Sequence, residues 1–200
     1  RFVKKSIQNG IDIVRIFDAL NDVRNLQTAC KATKKYGGHA QLAMSYTISP
    51  VHTIEYYRNL ALEMQEIGAD SIAIKDMSGI LLPEVAYELV KTLKSVLRVP
   101  VEVHTHATAG LASMTYLRAI EAGADIVDTA ISPLSGGTSQ PATESLVRTL
   151  QGTERETGFD LDLLKEIAEY FKPIRAKYLQ EGILNPQALM TEPSIVEYQL

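Results

Sequence analysis

The sequence predicts an α/β protein of the (β/α)8 TIM-barrel class, incomplete in this chain, with about five of the eight strand-helix units visible. Three observations carry that expectation. Short β-branched, apolar runs begin near residues 12, 41, 71, 101 and 126, at intervals of 29, 30, 30 and 25 residues, and segments of helical period lie between them. One turn recurs ahead of three runs, as Asn9-Gly10-Ile11-Asp12, Ile67-Gly68-Ala69-Asp70 and Ala122-Gly123-Ala124-Asp125. Finally, the runs alternate between an aliphatic and a small or polar face, whereas a central strand covered by helices on both sides reads as a continuous aliphatic run.

The first run, Asp12 to Phe17, sets Ile13, Arg15 and Phe17 on one face and Val14 and Ile16 on the other. Asp18, Asn21 and Asp22 open the loop that follows and supply caps for a helix from Arg24, in which Cys30 reads as packing. Gln41 to Tyr46 forms the second run, with a helix over Thr53 to Ile67; His39 and His52 are isolated and read as structural. In the third, Ile72 and Ile74 oppose Ser71, Ala73 and Lys75, and a helix spans Pro83 to Leu97. In the fourth, Val101 and Val103 oppose Glu102, His104 and His106, and Gly110 to Ala122 is helical. The fifth, Ile126 to Ala130, leads into Gly136-Gly137-Thr138-Ser139-Gln140-Pro141, read either as a plain turn or as an anion-binding turn at a helix N-terminus. Residues 160 to 180 form a further amphipathic helix, with Asp160 as N-cap and a kink at Pro173; Glu181 to Leu200 is a connecting segment. Residues 1–155 are therefore the barrel portion and 156–200 a helical extension of the same domain. A start at Arg1 and a finish at Leu200 without a helix stop suggest a piece of a longer protein.

At 200 residues and 46% hydrophobic the chain can bury one sizeable core. Lys and Arg number 20 against 24 Asp and Glu, with no basic run, which argues against nucleic-acid and anionic-membrane partners. No apolar stretch approaches the roughly 18 residues of a membrane span, and the single cysteine suits a reducing, cytoplasmic setting.

Chemistry concentrates at the C-terminal ends of the strands, where a barrel keeps its active site. His104 and His106 share a strand face and suit a divalent metal, although paired histidines can also be ordinary polar residues of the barrel mouth. Lys75 on the neighbouring strand either snorkels to solvent or sits inward with a lowered pKa, as a base, a Schiff-base amine or a carbamate. An inward Arg15 must be paired, with a substrate carboxylate or with an internal acid such as Glu102. Gly137 and Ser139 join Arg15 as candidate substrate contacts.

Five segments together resemble the biotin-dependent carboxyltransferase family, which groups the oxaloacetate decarboxylase α subunit, the transcarboxylase 5S subunit and pyruvate carboxylase. They are Arg15 to Asp22, Ser45 to Thr53, Ile74 to Gly79, His104-Thr105-His106 and Gly137 to Pro141, and the resemblance runs essentially from Arg1 to Leu200. It implies a TIM barrel that decarboxylates oxaloacetate to pyruvate and passes the carboxyl group to biotin, or the reverse. It also implies a divalent metal (Zn2+, Mn2+ or Co2+) held by His104, His106 and a carbamylated Lys75, and a proton shuttle at Thr138. The family's aspartate ligand, its substrate-binding Arg and Tyr segment and its biotin-bearing segment are expected outside this chain, so biotin arrives on a carrier domain or subunit. A homodimer and docking to a membrane decarboxylase complex are further expectations. The competing readings are a metal-dependent Claisen-type acyl-CoA lyase or synthase of the same barrel superfamily, which needs no biotin, and an inactive truncated fragment.

Overall fold

The computed structural model describes residues 1–194. Helix α1 (Phe2–Gln8) precedes a regular alternation: β1 (Ile13–Asp18), α2 (Val23–Lys35), β2 (His39–Ser45), α3 (Ile54–Glu66), β3 (Ser71–Asp76), α4 (Pro83–Val96), β4 (Val101–Thr105), α5 (Ala112–Glu121) and β5 (Ile126–Val127). Helices α6 (Thr143–Leu150) and α7 (Leu161–Gln180) follow, with short 3₁₀ turns at Ser132–Leu134 and Pro186–Leu189.

All five strands are parallel and pair in chain order, β1-β2-β3-β4-β5. That order separates the two architectures open to alternating strands and helices. A doubly wound sheet reverses direction partway and so places helices on both faces. Right-handed crossovers that always step the same way place every helix on one face, as in a barrel wall. The core obeys this: Ile16, Leu42, Met44, Ile72, Ile74, Val101 and Val103 pack against Leu26, Tyr57, Met64, Leu89, Leu93 and Tyr116 from the helices. The opposite face carries Arg15, Gln41, Ser71, Lys75, Glu102 and His104, brought side by side by the registers Arg15 to Gln41, Gln41 to Ser71 and Lys75 to His104.

The recurring turn has a definite job. Gly10, Gly68 and Gly123 adopt φ of 97°, 106° and 103°, a left-handed conformation that a side chain would strain. In the second and third turns, the aspartate two residues later clamps the preceding strand. Asp70 accepts from the Ala40 amide at 2.9 Å and from the Lys34 ammonium of α2. Asp125 accepts from the Val101 amide at 2.7 Å and from Lys94 of α4 at 2.7 Å. Burial opposes charge on Asp70, yet Lys34 and the Ala40 amide hold its carboxyl below the ordinary range. Its contribution is thus present above the unfolded-state value and is lost as pH falls through the lower folded-state value. Asp70→Ala is expected to cost about 1–2 kcal/mol near neutral pH. In thermal melts from about pH 7 down to about pH 3, the gap to wild type should close below about pH 4; a gap that stays constant would remove the carboxylate from the account.

One element departs from expectation, and the C-terminal helix follows it. β5 ends at Val127 instead of Ala130, because the Ala130 amide turns away to the Pro141 carbonyl (3.0 Å) and residue 130 bridges to Ala142. Helix α7 runs as one element from Leu161 to Gln180 with Pro173 inside it, and Asp160 caps it through the amides of Asp162 and Leu163. The expected connecting segment contains the Pro186–Leu189 turn, and its residues 195–200 lie outside the described residues. Among the described residues no helix is long and apolar enough to cross a membrane.

Candidate active site

Lys75 and His104 are register partners near the C-terminal ends of β3 and β4, and Ser45 of β2 pairs with Lys75 on the other side. One residue beyond β4, the His106 amide donates to the Asp76 carbonyl at 3.0 Å, extending the ladder by one bond. The Asp76 side chain is fully buried and organises the loop after Lys75. Its Oδ1 accepts from the Gly79 amide at 2.9 Å, and its Oδ2 accepts from the Leu81 amide at 2.8 Å and the Thr105 hydroxyl at 2.7 Å. Gly79, at φ +73°, lies so close to the end of β4 that a Cβ there would come 2.6 Å from the His106 carbonyl oxygen. The loops carrying Lys75 and His106 are therefore locked together.

These constraints bring His104 Nε2 and His106 Nε2 to 3.1 Å from each other. Burial, then the neighbouring His104 and Lys75, push the His106 imidazole below its ordinary value, partly opposed by Asp76 and a Thr138 backbone hydrogen bond. A neutral imidazole with a lone pair is the form that binds metal. Burial, and secondarily the Arg15 charge, lower the Lys75 amine as well, and its Nζ sits 4.4 Å from the centre of the Phe17 ring.

Below the pair lies a polar floor. Arg15 donates to Asp128 Oδ2 at 2.6 Å, to Gln41 Oε1 at 2.5 Å and to Glu102. Gln41 donates in turn to Glu102 and to the Ser71 hydroxyl at 3.2 Å. His104 Nδ1 stands 2.7 Å from Asp128 Oδ2. Burial and the Asp128 charge push the Glu102 carboxyl up. Burial opposes ionisation of Asp128 too, but hydrogen bonds from His104 and Arg15 outweigh it and hold this carboxyl well below the usual range. Of the two partners open to Arg15, the internal acids are those the fold supplies, Asp128 as well as Glu102.

The donor set fits a divalent ion. Two converging imidazole nitrogens 3.1 Å apart can be spanned by two metal-nitrogen bonds of about 2.0–2.1 Å, with Lys75 on the adjoining strand. Among the described residues no three His, Cys, Asp or Glu side chains converge on a common point; Asp128 stands behind His104, on its far nitrogen.

The glycine-rich loop is placed differently from a helix N-terminus. Helix α6 starts only at Thr143, with Ala142 at the N-cap position and no side-chain cap, whereas Gly137 bridges to Ala107 and the Ala107 amide donates to the Ser139 carbonyl at 2.7 Å. Gly137, Thr138 and Ser139 thus flank the loop that follows His106. The Thr138 amide and hydroxyl both donate to the Ala188 carbonyl, at 2.7 and 3.1 Å. Sequence reasoning leaves Asp76, Gly79, Gln41 and Asp128 without roles at the site. Strand parity is the signal that finds two of them, since Gln41 and Asp128 fall on the inward face beside Arg15 and His104.

The sequence matches the HMGL-like family over residues 6–171. It is 55% identical to a pyruvate carboxylase subunit of Methanocaldococcus jannaschii over 200 residues, which is 100% of this chain and 35% of that protein. It is 48% identical to the methylmalonyl-CoA carboxyltransferase 5S subunit of Propionibacterium freudenreichii subsp. shermanii over 180 residues, covering 89% of this chain and 36% of that one. The carboxyl transferase domain of Rhizobium etli pyruvate carboxylase, solved with pyruvate and biocytin, is similar with a TM-score of 0.87 and 40% identity, over 88% of this chain and 31% of that chain. The chain spans about a third of the length of these relatives.

Proposed function

Because the chain belongs to the HMGL-like family, we propose that it forms the metal-holding side of a carboxyltransferase barrel that moves a carboxyl group between oxaloacetate and biotin. The observation that carries this reading is the pair of imidazole nitrogens 3.1 Å apart beside Lys75, in a chain whose relatives include a pyruvate carboxylase component and a methylmalonyl-CoA carboxyltransferase component. Those relatives favour carboxyl transfer over the Claisen-type reading.

His104 and His106 would hold the ion, with Lys75 as the third group on this side of the barrel. Burial lowers the Lys75 amine, in the direction of the unprotonated form that adds CO2 to give an anionic carbamate. A divalent ion bound there supplies positive charge for the enolate left when the carboxyl group departs from oxaloacetate. The carboxyl group goes to the biotin ring nitrogen, and the proton displaced from that nitrogen returns to the enolate as pyruvate forms. Arg15, Glu102, Gln41 and Asp128 keep this floor polar and rigid, so that the site need not reorganise as charge develops. Arg15 adds its positive field from below the substrate, while Gly137 and Ser139 border the mouth from the side of His106. Thr138 is the candidate proton relay, and its hydroxyl must leave the Ala188 carbonyl to act. Biotin arrives on a carrier domain or subunit. Residues 1–155 form the barrel part, and the extension from 156 covers it where α7 packs on α6 and the Ser132–Leu134 turn. A cytoplasmic setting accords with Cys30, which is buried and unpaired.

The test is pyruvate release from oxaloacetate by the full-length protein, with and without free biotin and with a chelator. Biotin-stimulated, chelator-sensitive release is expected. In Thr138→Ala, transfer to biotin should fall at least about tenfold with metal content unchanged, and normal transfer would end the relay assignment. Acyl-CoA cleavage without any response to biotin would replace the whole reading by the Claisen one.

A further inference from the structure

Asp128 and Arg15 form a unit behind His104 whose geometry has a chemical consequence. Arg15 Nη1 lies 2.6 Å from Asp128 Oδ2 and 3.5 Å from His104 Nδ1, while Nδ1 itself lies 2.7 Å from that same carboxylate oxygen. An arginine only donates, and an ionised carboxylate beside it only accepts. The hydrogen between Asp128 and His104 therefore resides on Nδ1, and Nε2, the nitrogen aimed at His106, keeps its lone pair. Arg15 cannot swing away, because Gln41 and Glu102 hold its other nitrogens.

We propose that Asp128, fixed by Arg15, is a positioning residue that locks His104 in the Nδ1-protonated tautomer and so presents Nε2 to a divalent cation. The proposal rests on the metal-holding reading above and deepens it. Without the Asp128 carboxylate, the nearest group to Nδ1 is the Arg15 guanidinium. Its N–H would favour a lone pair on Nδ1 and drive the proton to Nε2, where it blocks ligation. Losing Asp128 thus does more than loosen a ring: it selects the wrong tautomer. Carboxylate partners of this kind raise the basicity of a ligating imidazole as well as orienting it.

The experiment uses the full-length protein stripped of metal. Zinc affinity is read by competition with a chromogenic chelator, the Co2+-loaded protein by its visible absorption, and the metal-free wild type by ring-15N spectra, with His104 identified from its loss in His104→Ala. Asp128→Ala is expected to weaken zinc binding about 10- to 100-fold and to change the Co2+ band, and the wild-type His104 signals should be those of the Nδ1–H tautomer. Zinc binding as tight as wild type with an unaltered Co2+ band would overturn the positioning role. So would a wild-type Nε2–H tautomer, which is read without any variant having to fold. If wild type holds no zinc and His104→Ala changes nothing, the metal-holding reading falls and this inference falls with it. If His104→Ala loses zinc while Asp128→Ala does not, only the role of Asp128 falls.

Discussion

Replacing His106 by alanine is expected to weaken zinc binding by the full-length protein more than about 100-fold and to take carboxyl transfer down with it. The magnitude follows by comparison: losing a group that merely supports a ligand costs about 10- to 100-fold, so losing a ligand should exceed that range. The variant should fold, because the contacts that place residue 106 are made by its backbone, through the amide to Asp76 and the carbonyl against Gly79. A melt within about 1 kcal/mol of wild type would fit the loss of a half-buried side chain. The site should also resist mild acidification. Burial and the neighbouring His104 and Lys75 keep His106 neutral below its ordinary value, so protons compete with the metal at His106 only at lower pH than for a free imidazole. Chelator competition on His106→Ala decides the matter: affinity equal to wild type would leave His104 and Lys75 as the only candidate ligands here and dismantle the paired-imidazole argument.

How much of the fold and site is legible in the sequence depends on whether a feature is written in local chemistry or in tertiary contact. The barrel reading comes from period and parity. Placing Lys75, Glu102 and His104 on one face needs only alternation, and the register of β3 with β4 bears it out. The Gly-containing turns announce helix ends because a left-handed residue is needed there, but the second half of the motif is silent. That Asp70 grips the Ala40 amide is a fact about β2, about 30 positions away, and no local rule states it. The end of β5 escapes sequence reading for a related reason. The run continues through Thr129 to Ala130, yet the Pro141 carbonyl captures the Ala130 amide, so tertiary pairing overrides the local pattern. The glycine-rich loop misleads in the opposite direction. Its composition suits an anion turn, but its backbone is engaged by Ala107 and Ala188, and α6 begins only at Thr143.

Asp76 shows where single-sequence reading has least purchase and where the structural cost of a change is largest. An aspartate after a strand reads as a turn former or a surface acid, whereas this one is 0% exposed and accepts three hydrogen bonds, from Gly79, Leu81 and Thr105. Asp76→Ala strands all three donors in the interior. At about 1–3 kcal/mol for each buried donor left unpaired, less whatever water or backbone shifts recover, the variant is expected to lose about 3–5 kcal/mol. Asp76→Asn keeps the volume but turns an amide NH2 toward a donor, so it should cost about 1–3 kcal/mol. Because the carboxylate ties the loop after Lys75 to β4, the damage should appear first as local opening. Hydrogen exchange in the full-length protein should speed up at the Gly79 and Leu81 amides before the rest of the sheet, and zinc affinity should drop although no ligand has been touched. If both amides keep wild-type protection in Asp76→Ala, the loop is held by something other than this carboxylate, and the rigidity attributed to the Lys75 and His106 pairing must come from the strands alone.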